Sequence, residues 1–447
     1  MPRNSRLILA HLWVAFAAFG AAIILGLWQM WVRSPFAAPL ASSENYFMSV
    51  TAHGSAMGYV LTTFFIMGFG YFVAETALSR PVPHPRFAWA GFLLGIVGTV
   101  LVVVTVLSGR ATVLFTFYPP LTATPWFYIG LVMVVIGSWI WCALMLVAMA
   151  AWKRENPGQA VPLAMFATTA NAVLWLWTTV GVAAELLFIV IPAAFGWTQT
   201  LDVGLTRTLF SWTLHAIVYF WLIPAYIAFY TLVLATGLSF FMLWFGGFGG
   251  LINMSYGMNA MVHNTSWVTA HFHMIFGGSV VIMYFAISYE IWPRLTGRGA
   301  PSLGLQRVQL WSWAVGMMTL SLPWHLLGLK GQWRRVAQFD YTDPAISWWT
   351  PWMAISLAGG AILVASAFLF LWNLTAFHRI PRTAAAPKPI GFAVALHPGG
   401  TPAALNGFRL WNVLVLVLMV AAYAYPIIQS FIVKPPYAVV HRVDRTN

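Results

Sequence analysis

The run Ser266-Trp-Val-Thr-Ala-His271-Phe-His273-Met-Ile-Phe-Gly-Gly-Ser-Val-Val-Ile-Met-Tyr-Phe-Ala-Ile-Ser288 carries no Asp, Glu, Lys or Arg. As a helix rising about 1.5 Å per residue it is long enough to cross a hydrocarbon core of roughly 30 Å. Comparable stretches recur along most of the chain. Of its 447 residues 61% are hydrophobic and 7% charged, against about 25% charged in soluble domains. A lipid bilayer is therefore the solvent, and the fold class is all-α: a polytopic transmembrane helical bundle. We count eleven spans, beginning near Ile8, Tyr46, Phe87, Trp126, Leu163, Thr208, Thr236, Ser266, Val308, Trp348 and Gly407. No tandem repeat interrupts them, so residues 1-447 read as a single transmembrane domain.

The formal net charge of +13 would suggest nucleic acid in a soluble protein. Here the cations sit in short loops between apolar spans, so no nucleic-acid partner is expected, and the positive-inside rule accounts for them. Arg3 and Arg6 place the amino terminus in the cytoplasm. The even-numbered loops then carry Arg80 and Arg86, Lys153 and Arg154, Arg294, Arg298 and Arg307, and Arg379 with Arg382. The first span lacks a small-residue cleavage site and is read as a retained helix. One opposite-side segment breaks the rule: Gly328-Leu-Lys-Gly-Gln-Trp-Arg-Arg335 puts Lys330, Arg334 and Arg335 outside, where they call for a local anionic partner. From Leu209 to Met254 no charged residue occurs. Two spans must share that stretch, with only Ala235-Thr236-Gly237 as a turn signal. A basic loop rich in Pro and Ala follows at roughly 379 to 403. The single cysteine, Cys142, excludes a disulfide framework and a cysteine-based metal site.

Ionisable residues inside lipid are functional hypotheses by default. His53, His215, His271 and His273 lie within apolar spans, and His263 and His325 lie near the ends of others. Two helical positions mean about 200° of rotation, so His271 and His273 point to nearly opposite sides of one helix. They cannot easily share one metal ion, but they can hold two separate centres, since neutral imidazole ligates haem iron. The alternative is that both are hydrogen-bonded core histidines. His53 sits beside Gly54 among small residues, which allow a flat ring to approach or a helix to pack. The intervals 4, 7 and 4 bring His215, Tyr219, Tyr226 and Tyr230 onto one face. That face reads either as a proton path to a metal or as a stripe of tyrosines between helices.

Several separated segments together resemble the haem-copper oxygen reductase superfamily, cytochrome c oxidase subunit I, and specifically its B-type branch. They are Tyr118-Pro-Pro-Leu121 with Pro125-Trp-Phe-Tyr128, Leu214-His-Ala-Ile-Val-Tyr-Phe-Trp-Leu-Ile-Pro-Ala-Tyr226, Val262-His-Asn-Thr-Ser-Trp267 running into His271-Phe-His273, and Gly328 to Arg335. The resemblance runs from about the first span to the last. It implies two haems, with His53 and His273 as axial ligands of a low-spin haem and His271 as the proximal ligand of a high-spin haem. His215 matches a copper ligand, and Tyr219 matches a tyrosine linked to that histidine. Tyr226 and Tyr230 would continue a proton path. Arg334 and Arg335 would pair with haem propionates, with His263 nearby.

The implied function is that of a terminal respiratory oxidase in a bacterial or archaeal plasma membrane, taking electrons from cytochrome c or a similar donor. With no Cys-rich entry site here, an oxidase subunit II carrying a copper domain is the implied partner. The chain departs from the family in two respects. The superfamily's paired copper-ligand histidines are absent, because no two histidines are adjacent, and thirteen spans are expected where eleven are counted, so that two are missing near 235. A copper-deficient haem-binding protein, a nitric oxide reductase relative and an unrelated transporter stand as alternatives.

Overall fold

The structure is a computed structural model that describes residues 2–37, 42–117, 119, 121–228, 233–299, 301–377, 379–380, 390–394, 402, 404, 407–433 and 438–439. Tyr230, Tyr118, Pro120 and most of the basic 379–403 loop lie outside them. The helices are α1 (Ser5–Val32), α2 (Ser43–Ser55), α3 (Thr62–Ala77), α4 (Pro85–Leu107), α5 (Pro125–Glu155), α6 (Leu163–Glu185), α7 (Ile191–Ala194) and α8 (Val203–Leu214). They continue with α9 (Ala216–Ala228), α10 (Val233–Met254), α11 (Tyr256–Val262), α12 (Ser266–Phe272), α13 (Val281–Thr296), α14 (Leu303–Leu329), α15 (Thr350–Ala376) and α16 (Phe408–Ile432). Wider π turns at Ala56–Leu61, Leu186–Val190 and His273–Val280 join α2 to α3, α6 to α7 and α12 to α13 as continuous rods. Apart from helices there is a two-residue pairing of Thr200–Leu201 with Ala438–Val439.

Local chemistry sets many of the ends. Ser42, Asp202, Thr265 and Ser302 accept backbone N–H bonds as N-caps, and Pro85 and Pro125 open their helices where a missing N–H costs nothing. Among the described residues ten helical rods are long and apolar enough to cross a membrane. The span expected near Val308 is α14, 27 residues long. Gln306, Arg307, Gln309, Ser321 and His325 dilute its apolarity, which leaves it out of the ten. The expected turn at Ala235-Thr236-Gly237 is a correction: these residues form the first turns of α10. A Thr-Gly pair in an otherwise apolar run does not break a helix that packing holds.

The chain forms two compact units. Unit 1 comprises Met1–Ser5, Leu12–Phe65 and Pro224–Gly391. Its core is aromatic. Phe65 stacks on Tyr284 at 3.9 Å, and Phe285 meets Phe370 at 4.3 Å and Trp313 at 4.9 Å. Polar groups buried among α13, α14 and α15 bond one another: Tyr289 donates to Gln309 Oε1, Gln309 donates to Ser366, and Asn373 donates to the Tyr289 oxygen. Unit 2 comprises Arg6–His11, Ile66–Ile223 and Phe392–Asn447. There α4 and α5 touch backbone to backbone through matched glycines. A Cβ at Gly98 would stand 2.5 Å from Gly130 O, and one at Gly137 would stand 2.6 Å from Gly91 O. Without a hydrophobic force between helices in lipid, such close contact is what joins them.

Candidate haem-binding site

In unit 1, α2 carries His53 in its last turn and α12 leads directly into His273. Their rings lie with centroids 6.2 Å apart and planes only 10° from parallel. Each ring donates Nδ1–H to a backbone carbonyl: His53 to Ala22 O on α1 at 2.8 Å, and His273 to Thr269 O one turn back at 2.8 Å. A carbonyl can only accept, so both imidazoles hold their proton on Nδ1 and keep the Nε2 lone pair. Two metal–nitrogen bonds of about 2.0 Å each, plus the depth of each ring, give a centroid separation of roughly 6 Å. The pair therefore fits one iron held from both sides. Gly26 of α1 makes room for the His53 ring, since a Cβ there would be 3.0 Å from His53 Cε1. Trp324 stands edge-on to His273 at 5.2 Å.

His271 leaves the rod on another side, toward α10. Its Nδ1–H donates to Gly246 O at 2.7 Å. The Gly246-Gly-Phe-Gly-Gly250 stretch keeps α10 bare beside it: a Cβ at Gly249 would be 3.1 Å from His271 Cβ, and one at Gly250 would be 3.3 Å from Cε1. Next to it, Trp267 meets the His325 ring edge-on at 4.8 Å. His325 Nδ1 bonds to Ser321 O, and its buried Nε2 has no hydrogen-bond partner. The glycine stretch went unremarked in the sequence reading, although Gly-Gly-x-Gly-Gly in an uncharged run was a visible signal.

The cation-bearing loop is sewn to the start of α12. Ser266 N donates to Gln332 O, its hydroxyl donates to Gln332 Oε1, and Arg334 N donates to Asn264 O. Arg334 is half-buried and Arg335 exposed. The residue that fixes this loop is Arg33, which sequence reasoning missed because it looks like an ordinary span-flanking cation. It is buried at the end of α1, donates to Trp333 O at 2.6 Å and Arg334 O at 3.2 Å, and lies over the Phe339 ring. Tyr341 donates to Arg33 O. Burial pushes the Tyr341 phenol above its usual range, opposed by the Arg33 cation. Bonds from the Thr342 hydroxyl and N–H hold the Asp340 carboxyl below the usual carboxylate range. His263 is exposed, with Nδ1 3.3 Å from Asn259 Oδ1.

In unit 2 the sixth rod is interrupted at His215, between α8 and α9. His215 Nε2 is 3.1 Å from the Tyr219 hydroxyl, and both residues are exposed. Farther along α9, Tyr226 is 41% exposed. Pro224 leaves the Phe220 carbonyl without its helical donor, and Asn171 of α6 supplies one at 3.2 Å. Among the described residues no group of three or more His, Cys, Asp or Glu side chains is placed to hold a metal ion. A stable copper site wants about three strong ligands, so the residues present do not fit copper, whereas the paired imidazoles fit haem iron.

Comparison with known proteins identifies the family of the chain. The profile of the family described as "Cytochrome C and Quinol oxidase polypeptide I" matches residues 6–237 and 231–362. The chain belongs to that family, the subunit I family of haem-copper oxidases, and its homologues are oxidoreductases. It is 26% identical over 494 aligned positions to cytochrome c oxidase subunit 1 of Thermus thermophilus, covering 87% of each chain. It is 25% identical over 461 positions to cytochrome c oxidase subunit 1 of Thermostichus vulcanus, covering 80% of this chain and 81% of that one. Among solved structures it superposes on a chain of a heme-copper terminal oxidase dimer with TM-score 0.91 and 26% identity, covering 100% of this chain and 96% of the other. The family and the apolar helices establish a multi-pass membrane protein with an oxidase role, and the family implies haem and copper as its cofactors.

Proposed function

We propose that this chain is the haem-carrying catalytic subunit of a terminal respiratory oxidase of the B-type branch, taking electrons from a cytochrome and reducing oxygen to water with proton uptake. The observation that carries the reading is the near-parallel pair His53 and His273 at 6.2 Å, both fixed as Nδ1–H tautomers by backbone carbonyls. Bound haem would supply the one-electron chemistry and the iron that meets oxygen. The residues of this chain do the rest. His53 and His273 would hold the low-spin haem, while His271, steadied by Gly246 O against the bare face of α10, would hold the high-spin haem. Arg334 and Arg335, positioned by the Arg33 clamp, would offer guanidinium groups to propionates, with His263 beside Asn264, whose carbonyl accepts from Arg334 N. Tyr219 is hydrogen-bonded to His215, and the two lead a proton path continued by Tyr226 and Tyr230. The amino terminus lies in the cytoplasm of a bacterial or archaeal cell, and a subunit II with a copper domain delivers the electrons.

The same residues favour a second reading. His215 alone cannot bind copper tightly, and the family profile matches in two pieces that meet at 231–237, where two spans with the remaining copper ligands would belong. A copper-deficient haem protein is consistent with both facts. A nitric oxide reductase relative is disfavoured by Tyr219, four residues after His215. The test is a reduced-minus-oxidised optical spectrum together with metal analysis on the purified protein. Two haems with copper support the oxidase, two haems without copper support the second reading, and a colourless protein from haem-replete cells removes both.

A further inference from the structure

Glu185 closes α6 at a fully buried position in unit 2, and among the described residues no hydrogen bond reaches either of its carboxyl oxygens. The other buried acid of this unit, Glu75, accepts the Val82 N–H at 3.2 Å, as a structural carboxyl does. Buried polar groups are normally satisfied, and an orphaned carboxyl in a membrane span asks for a reason. Two features of the backbone flank Glu185. The π turn Leu186–Val190 follows it directly, and such turns recur at functional sites. One turn before it, the Thr213 hydroxyl of α8 donates to Thr178 O and accepts from Val182 N. Those are the two groups that an unbroken helix bonds to each other. Thr213 lies two residues before His215.

The elements packed against α6 include α5 and α8, and the π turn and α7 continue it. From α5 the Tyr128 phenol is the electrostatic neighbour of Glu185, with an oxygen that accepts the Ala123 N–H at 3.0 Å. The buried residues of α8 are Thr206, Phe210 and Thr213, and Arg207 of that helix occupies an exposed position. The π turn and α7 carry no ionisable residue. Among the described residues no cation pairs with this carboxyl, and an unpaired buried charge is costly, so the resting group is the neutral acid.

We propose that Glu185 is a proton-carrying acid of this chain, holding its proton between α5, α6 and α8 and passing it on during turnover. The inference rests on the proposed oxidase function, in which oxygen reduction consumes protons. The carboxyl O–H breaks as the proton leaves for that reaction, a proton from the aqueous phase replaces it, and no electron passes through the group.

The test uses the intact, haem-loaded complex and infrared difference spectra between its oxidised and reduced forms, recorded in H2O and D2O. The expected result is a protonated-carboxyl C=O band that responds to reduction, shifts in D2O and is missing in Glu185→Gln. In that variant turnover falls on the order of 100-fold, and in Glu185→Asp it is largely retained, while the haem spectrum of both variants matches the parent. A redox-silent carboxyl region in the parent protein, a band that survives in Glu185→Gln, or unchanged turnover in that variant overturns the proposal. The parent's spectrum needs no variant to fold. A colourless parent protein overturns the oxidase reading itself, whereas two haems with a silent carboxyl overturn only the role of Glu185.

Discussion

Replacing Gly26 by Ala adds one methyl group at the place where α1 meets the ring of His53. The new Cβ would stand 3.0 Å from His53 Cε1 and 3.3 Å from Nδ1. Ordinary carbon contacts begin at about 3.5 Å, so the ring must retreat by roughly 0.5 Å. It is not free to do so, because Nδ1–H is tied to Ala22 O on the same helix and the opposite ring is 6.2 Å away. Overpacking of this kind costs about 1–3 kcal/mol, which corresponds to roughly 5- to 150-fold weaker retention of a group held between the two rings. The assay is the optical spectrum of the purified variant, followed while a haem-scavenging protein competes for the cofactor. Gly20→Ala is the control on the same helix, since its Cβ would meet only the end of the Leu371 side chain at 3.2 Å. We expect Gly26→Ala to lose low-spin haem faster than the parent and Gly20→Ala to behave like it. Parental retention in Gly26→Ala, or equal damage in both variants, refutes the assignment of His53.

Replacing His273 by Ala should abolish the low-spin haem spectrum and leave the haem on His271 partly bound, and a surviving low-spin signal would show the ligand pair to be wrong. Arg33→Gln removes two bonds from a buried cation to the carbonyls of Trp333 and Arg334. Thermal unfolding should register a loss of about 2–4 kcal/mol, with protease cleavage newly appearing between residues 332 and 341, and an uncut loop contradicts the clamp. Asp340 is held below its ordinary value by Thr342, so its contribution is present above about pH 4 and is lost as the pH falls through the depressed value. The protection of the Thr342 amide, its exchange rate relative to the intrinsic rate at the same pH, should therefore fall only below about pH 4 and lose that dependence in Asp340→Asn, whereas a loss of protection between pH 5 and 7 would exclude this origin.

The membrane spans were legible because each is a local property: a run of apolar residues bounded by caps, prolines or charges. The divergence of His271 from His273 was legible for the same reason, as it follows from helix periodicity alone. What was hidden depends on partners remote in sequence. Arg33 finds the carbonyls it clamps 300 and 301 residues away, and Gly98 is defined by Gly130 on another helix. The π turns after His53, Glu185 and His273 have no local signature, because they absorb packing on both flanks. Glu185 was visible as a lone acid in an apolar run. That nothing bonds it could be known only once α5 and α8 were in place.

A buried histidine that bonds a backbone carbonyl is not by that fact a ligand. His11, His273 and His325 all donate Nδ1–H to the carbonyl four residues back, a local device that any helical histidine can use and that fixes the same tautomer in each. What separates them is which rings they meet. The His11 ring packs edge-on and tilted against the aromatic rings of Tyr71 and Phe92. His273 instead has a near-parallel imidazole from another helix at 6.2 Å, a spacing that two metal–nitrogen bonds would fill. That imidazole is held by a carbonyl of a third helix, so three separate segments converge on one gap. Such convergence is hard to reach by chance packing and easy to destroy. The sharpest evidence for a haem in this fold is therefore Ala22 and Gly26, which hold and admit the ring of His53, more than the histidines themselves.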